Sequence, residues 1–498
     1  MKIISVETMR RLEGGAIRGG VPGDELMRRA GNGAAGIINR FARGRFRRVV
    51  LLGGGGNNCG DALVAAAGLE LPAVVYAMRP LSELRNEARI AARNLPESVP
   101  VKVFDTLSER DFAPGDLIVD GLLGIGFSGE LRPRYAAWID VVNRSGQPVI
   151  ALDLPSGLNA DTGRVGPGGA IRAAMTITFG YPKRGMFLAE GPRCTGPIRL
   201  VEIGLEAPDA AEPAEAYFFT DAASAWPRPA NDVHKNRRGR LLVAAGSASY
   251  SGAAVLASRA ALRTGAGIVR MVVPATPLAA VPAALIVSRV ADESGCFGPA
   301  SLPELRRQLA ASDAVVAGPG WGTGAGLGDV LSELFAFSGP LLLDADALNV
   351  AAREPQRWNL RDNLVLTPHP GEAARLAAAF GIPTGTDRGE FAANLAARLG
   401  AVVVLKGPLS VVAAPDGRRS FNTSGSAALA TAGSGDVLSG TIGALLAGGA
   451  LPAYEAARLG VFLHGLAGEQ GGAGTIADDL PDRYPALLDA LCTRFPGA

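Results

Sequence analysis

Short β-branched runs alternate with amphipathic or alanine-rich stretches along most of the chain. In the first half the apolar runs fall at Arg48–Gly53, Ala73–Met78, Asp116–Gly121, Gln147–Asp153 and Met175–Gly180, and Asp61–Leu71 and Ser82–Asn94 lie between them with helical character. Unbroken apolar strands separated by helices belong to a mostly parallel sheet covered on both faces. From Glu206 to Asn231 the period is lost in a stretch rich in Pro, Ala and acidic residues, which reads as a linker or domain edge. The alternation then restarts. Arg240–Ala245, Ile268–Val273, Ala314–Ala317, Pro340–Asp344, Asn363–Leu366 and Ala401–Leu405 read as strands, and Ser251–Thr264, Gly371–Phe380 and Asp436–Ala447 as helices. The pattern predicts two α/β domains, 1–215 and 225–498. No short repeat appears, which excludes solenoids and propellers.

Composition narrows the class. With 498 residues, 48% hydrophobic and 19% charged, the chain can bury a large core. Lys and Arg number 49 against 47 Asp and Glu, a net +2 without a basic run, so no nucleic acid and no membrane surface is an expected partner. Val437–Tyr454 is uncharged but carries several glycines and Pro452, and reads as a buried helix. The start, MKIISVETMRRLEGG, meets charge before any apolar stretch of signal-peptide length. Cys59, Cys194, Cys296 and Cys492 form no Cys-x-x-Cys pair, and His234, His369 and His464 are dispersed. A thiolate zinc site or disulfide scaffold is not expected, and a reducing, cytoplasmic setting is.

Candidate chemistry sits at the strand ends, where open α/β sheets gather ligands. The first strand runs into LLGGGGNNCGDALVAA, where glycines can turn sharply and Asp61 opens a helix whose N-terminus favours an anion. No Gly-Lys-Ser/Thr follows, so it is not a Walker loop. Two further strand ends read DGLLGIGFSGE and DLPSGL. Asn58, Asp120 and Ser156 would supply hard oxygens to a monovalent cation; singly, the aspartates could equally cap loops. TFGYPKRG ends a strand at Lys183, a residue type usually found in solvent.

GGGNNCGDA, DGLLGIGFSG, DLPSGL and TFGYPKRG, in that order after ETMRRLEGGAIRGGVPGDELMRRAG, resemble the NAD(P)H-hydrate epimerase family over about residues 1–205. The resemblance implies an N-terminal Rossmann-like three-layer α/β/α domain. It implies substrate contacts at Asn57, Asn58, Cys59, Gly60 and Asp61, at Gly124, Ile125, Gly126, Phe127, Ser128, Gly129 and Glu130, and at Asp153. A potassium ion (K+) would sit at Asn58, Asp120 and Ser156, with Asp153 and Lys183 as catalytic candidates. The loop departs from the family's usual Gly-Pro-Gly-Asn-Asn-Gly-Gly-Asp-Gly at Gly55, Cys59 and Ala62. A positive φ at Cys59 would cost about 1–2 kcal/mol.

In the second half, AAGSASYSGAA, AGPGWG, LDADALN and LTPHPGE mark strand exits fit for a ligand cleft, and His369 lies on a loop between prolines. In LATAGSGDVLSG, Gly433 and Gly435 can converge backbone N–H groups at a helix N-terminus. Asp436 stands at the same mouth, as a general base or as a cap. Lys406 ends the strand VVVLKGPLS. Together these motifs resemble the ribokinase-like superfamily, and within it the ADP-dependent NAD(P)H-hydrate dehydratases, over about 225–498.

The resemblance implies a C-terminal ribokinase-like α/β domain. Nucleotide contacts would fall at Lys406, Gly407, Pro408, Leu409, Ser410, Gly433 and Gly435, and hydrate contacts at Ala253, Gly320, Gly322, His369 and Asp436, which is also the catalytic base. Here SAALATAGSGD stands where the family commonly has Asn-Pro-Gly-Met-Ala-Thr-Gly-Gly-Thr-Gly-Asp.

Both resemblances together imply a homo-oligomeric metabolite-repair enzyme. It would interconvert the R and S hydrates of NADH and NADPH (NADHX and NADPHX) and dehydrate the S form with ADP and Mg2+. The alternative is a ribokinase-like kinase of a small vitamin precursor, fused to a non-catalytic nucleotide-binding module.

Overall fold

Val49 and Leu51 pack with Met9, Ile38 and Leu63 on one side of a sheet, while their neighbours Val50 and Leu52 pack with Phe112, Trp138 and Ile139 on the other. The two-residue period of a strand sends successive side chains to opposite faces, and here both faces are apolar and covered. A computed structural model describes residues 1–208, 214–228, 234–275, 278, 280–291, 295–361, 363–385 and 387–493. The chain divides into two compact units, Met1–Ala216 and Tyr217–Ala498.

The first unit is a three-layer α/β/α sandwich. Its strands are β1 (Arg48–Gly53), β2 (Ala73–Ala77), β3 (Val101–Val103), β4 (Asp116–Gly121), β5 (Val149–Leu152), β6 (Met175–Phe179) and β7 (Ile198–Val201). All pairings are parallel, in the order β3-β2-β1-β4-β5-β6-β7. The chain builds outward from β1 through β2 to β3, then returns to the other side of β1 with β4. Such a reversal opens a crevice beyond the strand ends. The helix after β1 begins at Asn57, behind an extended Gly56, so Asp61 lies in its second turn and does not open it.

β8 (Ala214–Tyr217) runs across the boundary between the units, and the second unit contains β9 (Arg240–Ala244), β10 (Ile268–Pro274), β11 (Ile286–Val290), β12 (Ala314–Ala317), β13 (Leu341–Leu343), β14 (Leu364–Leu366), β15 (Val402–Leu405), β16 (Val411–Ala413) and β17 (Arg419–Asn422). The sheet order is β11-β10-β9-β12-β13-β14-β15-β16-β17-β8, parallel from β11 to β15 and antiparallel across β15, β16 and β17. Its switch point lies between β9 and β12. Helices Ser251–Thr264 and Ser434–Ala447 cross closely because Gly440 has no side chain. A Cβ there would stand 1.9 Å from the carbonyl oxygen of Ala257.

The stretch from Glu206 to Asn231 is not a structureless linker. It holds β8 and the helix Phe219–Ala225, and Tyr217, Ala222 and Trp226 are buried. Residues 209–213 and 229–231 of it lie outside the described residues. No described helix is long and apolar enough to cross a membrane.

Candidate active sites

In the first unit, the turn after β1 passes under the loop after β4. A Cβ at Gly54 would come within 2.0 Å of the Leu122 carbonyl oxygen, so only glycine lets the two backbones meet. Beyond that crossing, Ser156 binds Asp120 twice, by its amide at 2.8 Å and its hydroxyl at 2.7 Å, and the Leu122 amide adds a third bond at 3.1 Å. Burial pushes the Asp120 carboxyl up to about 6, against these hydrogen bonds. Asn58 donates to the carbonyls of Leu123 (2.8 Å) and Leu152 (3.1 Å), while its own Oδ1 is buried without a partner.

Lys183 corrects the expectation of a solvated lysine. Its side chain is fully buried, and its ammonium donates to Asp153, to Thr178 Oγ1 at 3.1 Å and to the Phe179 carbonyl at 2.9 Å. Asp153 itself sits at φ +63°, a left-handed position that aspartate tolerates better than most residues. Chain order alone gives no hint of this pair, because thirty residues separate its members.

Asp153 opens onto a cavity of about 650 Å³ that Asn57, Asn58, Asp61, Ile125, Phe127, Ser128 and Glu130 line together with Gly124 and Gly126. Cys59, Gly60 and Gly129 are not among its lining residues. Cys59 lies in the first turn of the Asn57–Ala67 helix with no positive φ, so the anticipated backbone strain is absent. Its thiol is buried against Gly53 and pushed up to about 12 by burial. A thiol fits here because the helix, not the turn, carries that position. The N-terminal helix Val6–Arg18 also lines the cavity, through Met9, Arg10, Glu13 and Ile17. Sequence reading missed these residues. Burial raises the Asp61 carboxyl well above the usual carboxylate range, and the charges of Asp153 and Glu13 add to this.

In the second unit, Lys406 at the end of β15 donates to Asp344 Oδ1 at 2.8 Å and stands 3.9 Å from Glu372 Oε2. Ser439, from the helix Ser434–Ala447, donates to Asp344 Oδ2 at 2.7 Å. That helix starts behind Gly433, whose φ of +85° turns the chain sharply into it. A Cβ on Gly435 would lie 3.3 Å from the Lys406 ammonium nitrogen, so the helix N-terminus and the lysine meet. Burial pushes the Asp436 carboxyl up to about 7, with the charge of Asp344 adding and that of Lys406 opposing. His464 bonds the Ser434 hydroxyl (3.1 Å) and carbonyl (3.0 Å) from behind.

Gly320 packs onto the N-terminus of the helix Ser251–Thr264, where its missing Cβ would touch the Ala253 methyl carbon at 2.9 Å. The Gly322 amide donates to Asp346 Oδ2 at 2.8 Å. In the loop Gly407–Ser410, the Ser410 hydroxyl donates to the Gly407 carbonyl and accepts from its amide, Leu409 is buried at φ +46°, and Arg388 bonds the Pro408 carbonyl. Among the described residues, the hydrogen-bond and charge partners of the His369 ring are local. It accepts from the Gly371 amide at 3.0 Å, capping the helix Pro370–Phe380, and faces Glu372 at 3.3 Å. Asp344 and Glu372 lie in the strand exits LDADALN and LTPHPGE that the sequence marks, although neither residue stands out there by itself, and nothing in the sequence singles out Ser439.

A carboxyl poised near neutrality, beside a lysine and the glycine-flanked N-terminus of a helix, defines an enzyme site on an α/β scaffold. Residues 23–185 match the family model described as YjeF-related protein N-terminus, and residues 241–483 match that of NAD(P)H-hydrate dehydratase. The chain is 36% identical to the bifunctional NAD(P)H-hydrate repair enzyme of Moorella thermoacetica, over 95% of this chain and 93% of that one. It is 38% identical to that of Mycobacterium leprae, over 99% and 98%. A ribokinase-like superfamily protein from Enterococcus faecalis superposes with TM-score 0.50 at 22% identity, over 57% of this chain and 99% of that one, which shows the fold of the second unit. The chain therefore belongs to the family of bifunctional NAD(P)H-hydrate repair enzymes.

Proposed function

We propose that the second unit uses ADP to dehydrate the S hydrate of NADH or NADPH, and that the first interconverts the R and S hydrates. Asp436 carries this reading: it is an acid brought near neutrality at a helix N-terminus where an anion is favoured. Asp436 takes the proton of the ring hydroxyl, the hydroxyl oxygen attacks the terminal phosphorus of ADP, and AMP leaves. Amides at Gly433–Gly435 and the Lys406 ammonium stabilise the charge on the moving phosphoryl group. The ring then loses phosphate and a neighbouring proton, which restores the double bond. Phosphate departs far more easily than hydroxide. The surplus of carboxylates around one lysine suits a Mg2+ ion carried in with the diphosphate. Ala253, Gly320, Gly322 and His369 would hold the hydrate, and Gly407–Ser410 the nucleotide.

In the first unit, Asn58, Asp120 and Ser156 would hold K+. An unpartnered buried amide oxygen and a buried carboxylate held by hydrogen bonds from Ser156 and Leu122 are oxygen donors of the kind a large monovalent cation suits. That ion would neutralise Asp120 and fix the loop Gly124–Glu130. Incubating the chain with mixed hydrates and ADP tests the whole reading. Absorbance of the reduced ring should recover with one AMP and one phosphate per turnover. A stable phosphorylated product would instead identify a small-molecule kinase.

A further inference from the structure

Hydration of a reduced nicotinamide places the hydroxyl on the ring carbon next to nitrogen, because the enamine double bond takes its proton at the far carbon. Inverting that centre requires the C–O bond to break, with the nitrogen lone pair forming C=N, and water to return on the other face. The departing oxygen needs a proton and the returning water must lose one. One residue must therefore arrive protonated and another ionised.

We propose that Glu13 is the proton donor of the first site, acting with Asp153 as the acceptor; this rests on the epimerase reading above. Glu13 projects from the N-terminal helix into the cavity that Asp153 and Asp61 also line. Glu13 thus shares the cavity with Asp61 and Asp153, and the buried ammonium of Lys183 is bonded to Asp153. Burial, with the charge of Asp153 added, raises Glu13 above the ordinary carboxyl range; Lys183 and Arg10 oppose more weakly. Glu87, Glu130 and Arg132 also line the cavity. Glu13 gives its proton to the leaving hydroxyl, which departs as water. Asp153 takes a proton from the water that adds to the opposite face, and that proton returns to Glu13 through the cavity's water. No net proton is consumed.

The test follows R–S exchange of purified NADPH hydrate with the full chain. Glu13→Gln should slow exchange at least ~100-fold at nearly unchanged KM, and Glu13→Asp should recover part of it. Wild-type exchange should fall as pH rises and Glu13 ionises, and that fall should vanish in Glu13→Gln. Exchange in Glu13→Gln within threefold of wild type overturns the proposal, whereas a wild-type chain without exchange overturns the epimerase reading itself. Should Glu13→Gln lose the first unit's melting transition, the wild-type profile decides: a fall at high pH supports the donor, a flat profile removes it.

Discussion

Lys406 donates to Asp344 at 2.8 Å, and this pair holds the ammonium against the N-terminus of the helix that carries Asp436. Asp344 is buried and Lys406 only a fifth exposed, so neither member is well solvated without the other. Asp344→Asn leaves a mostly buried ammonium short of its counter-charge, and should destabilise the second unit by about 2–3 kcal/mol. It also removes a charge that raises Asp436 and frees Lys406 to act on it, so Asp436 should ionise at lower pH. Thermal melts and the pH profile of dehydration check both effects. An unshifted profile would show that Asp344 does not tune Asp436.

Asp436 must be ionised to take a proton, and burial holds it protonated until pH about 7. Dehydration with ADP should therefore climb with pH up to and through neutrality, and level off above it. Asp436→Asn should reduce the rate by roughly a thousandfold and erase the climb, while leaving R–S exchange intact. Undiminished dehydration in that variant removes Asp436 from the mechanism.

The strand ends were legible because apolar runs closing on Gly, Asp or Pro repeat through both halves. Reading them placed Asp120, Asp153, Lys406 and Asp436 at the mouths of their sheets. Short or half-exposed strands were not legible. Val101–Val103 is exposed at an edge and contains Lys102, so it lacks the buried run that marks its neighbours. Partnerships across the chain were equally hidden. Nothing local links Lys183 to Asp153, Asp344 to Lys406, or the N-terminal helix to the loop after β4, since each depends on how the sheet orders its strands.

Asn58 Oδ1 and Asp120 give the first unit a test that needs no substrate. If K+ satisfies the orphan oxygen and the buried carboxylate, exchanging K+ for a bulky organic cation should lower the first unit's melting temperature by a few degrees. R–S exchange should slow in parallel. Asp120→Asn removes the charge while preserving the shape, and should abolish the dependence on K+ in both measurements. A wild-type chain that melts identically in both salts would dismiss the ion from this site.

His464 offers a pH signature independent of catalysis. It is buried, and burial pushes its imidazole down to about 4, with the Ser434 hydrogen bond opposing and Lys406 adding. The unfolded chain binds a proton at the ordinary value near 6.5, so between 6.5 and 4 it holds more protons than the folded one. The imidazole's effect on stability is therefore absent above about pH 7 and grows as pH falls to 4, reaching about 3 kcal/mol of destabilisation. His464→Gln keeps a side chain able to bond Ser434 and removes the titration. Denaturant melts of the second unit should accordingly weaken with acid in wild type and much less in the variant. Parallel losses in the two chains would show that the imidazole is charged or solvated in the folded state.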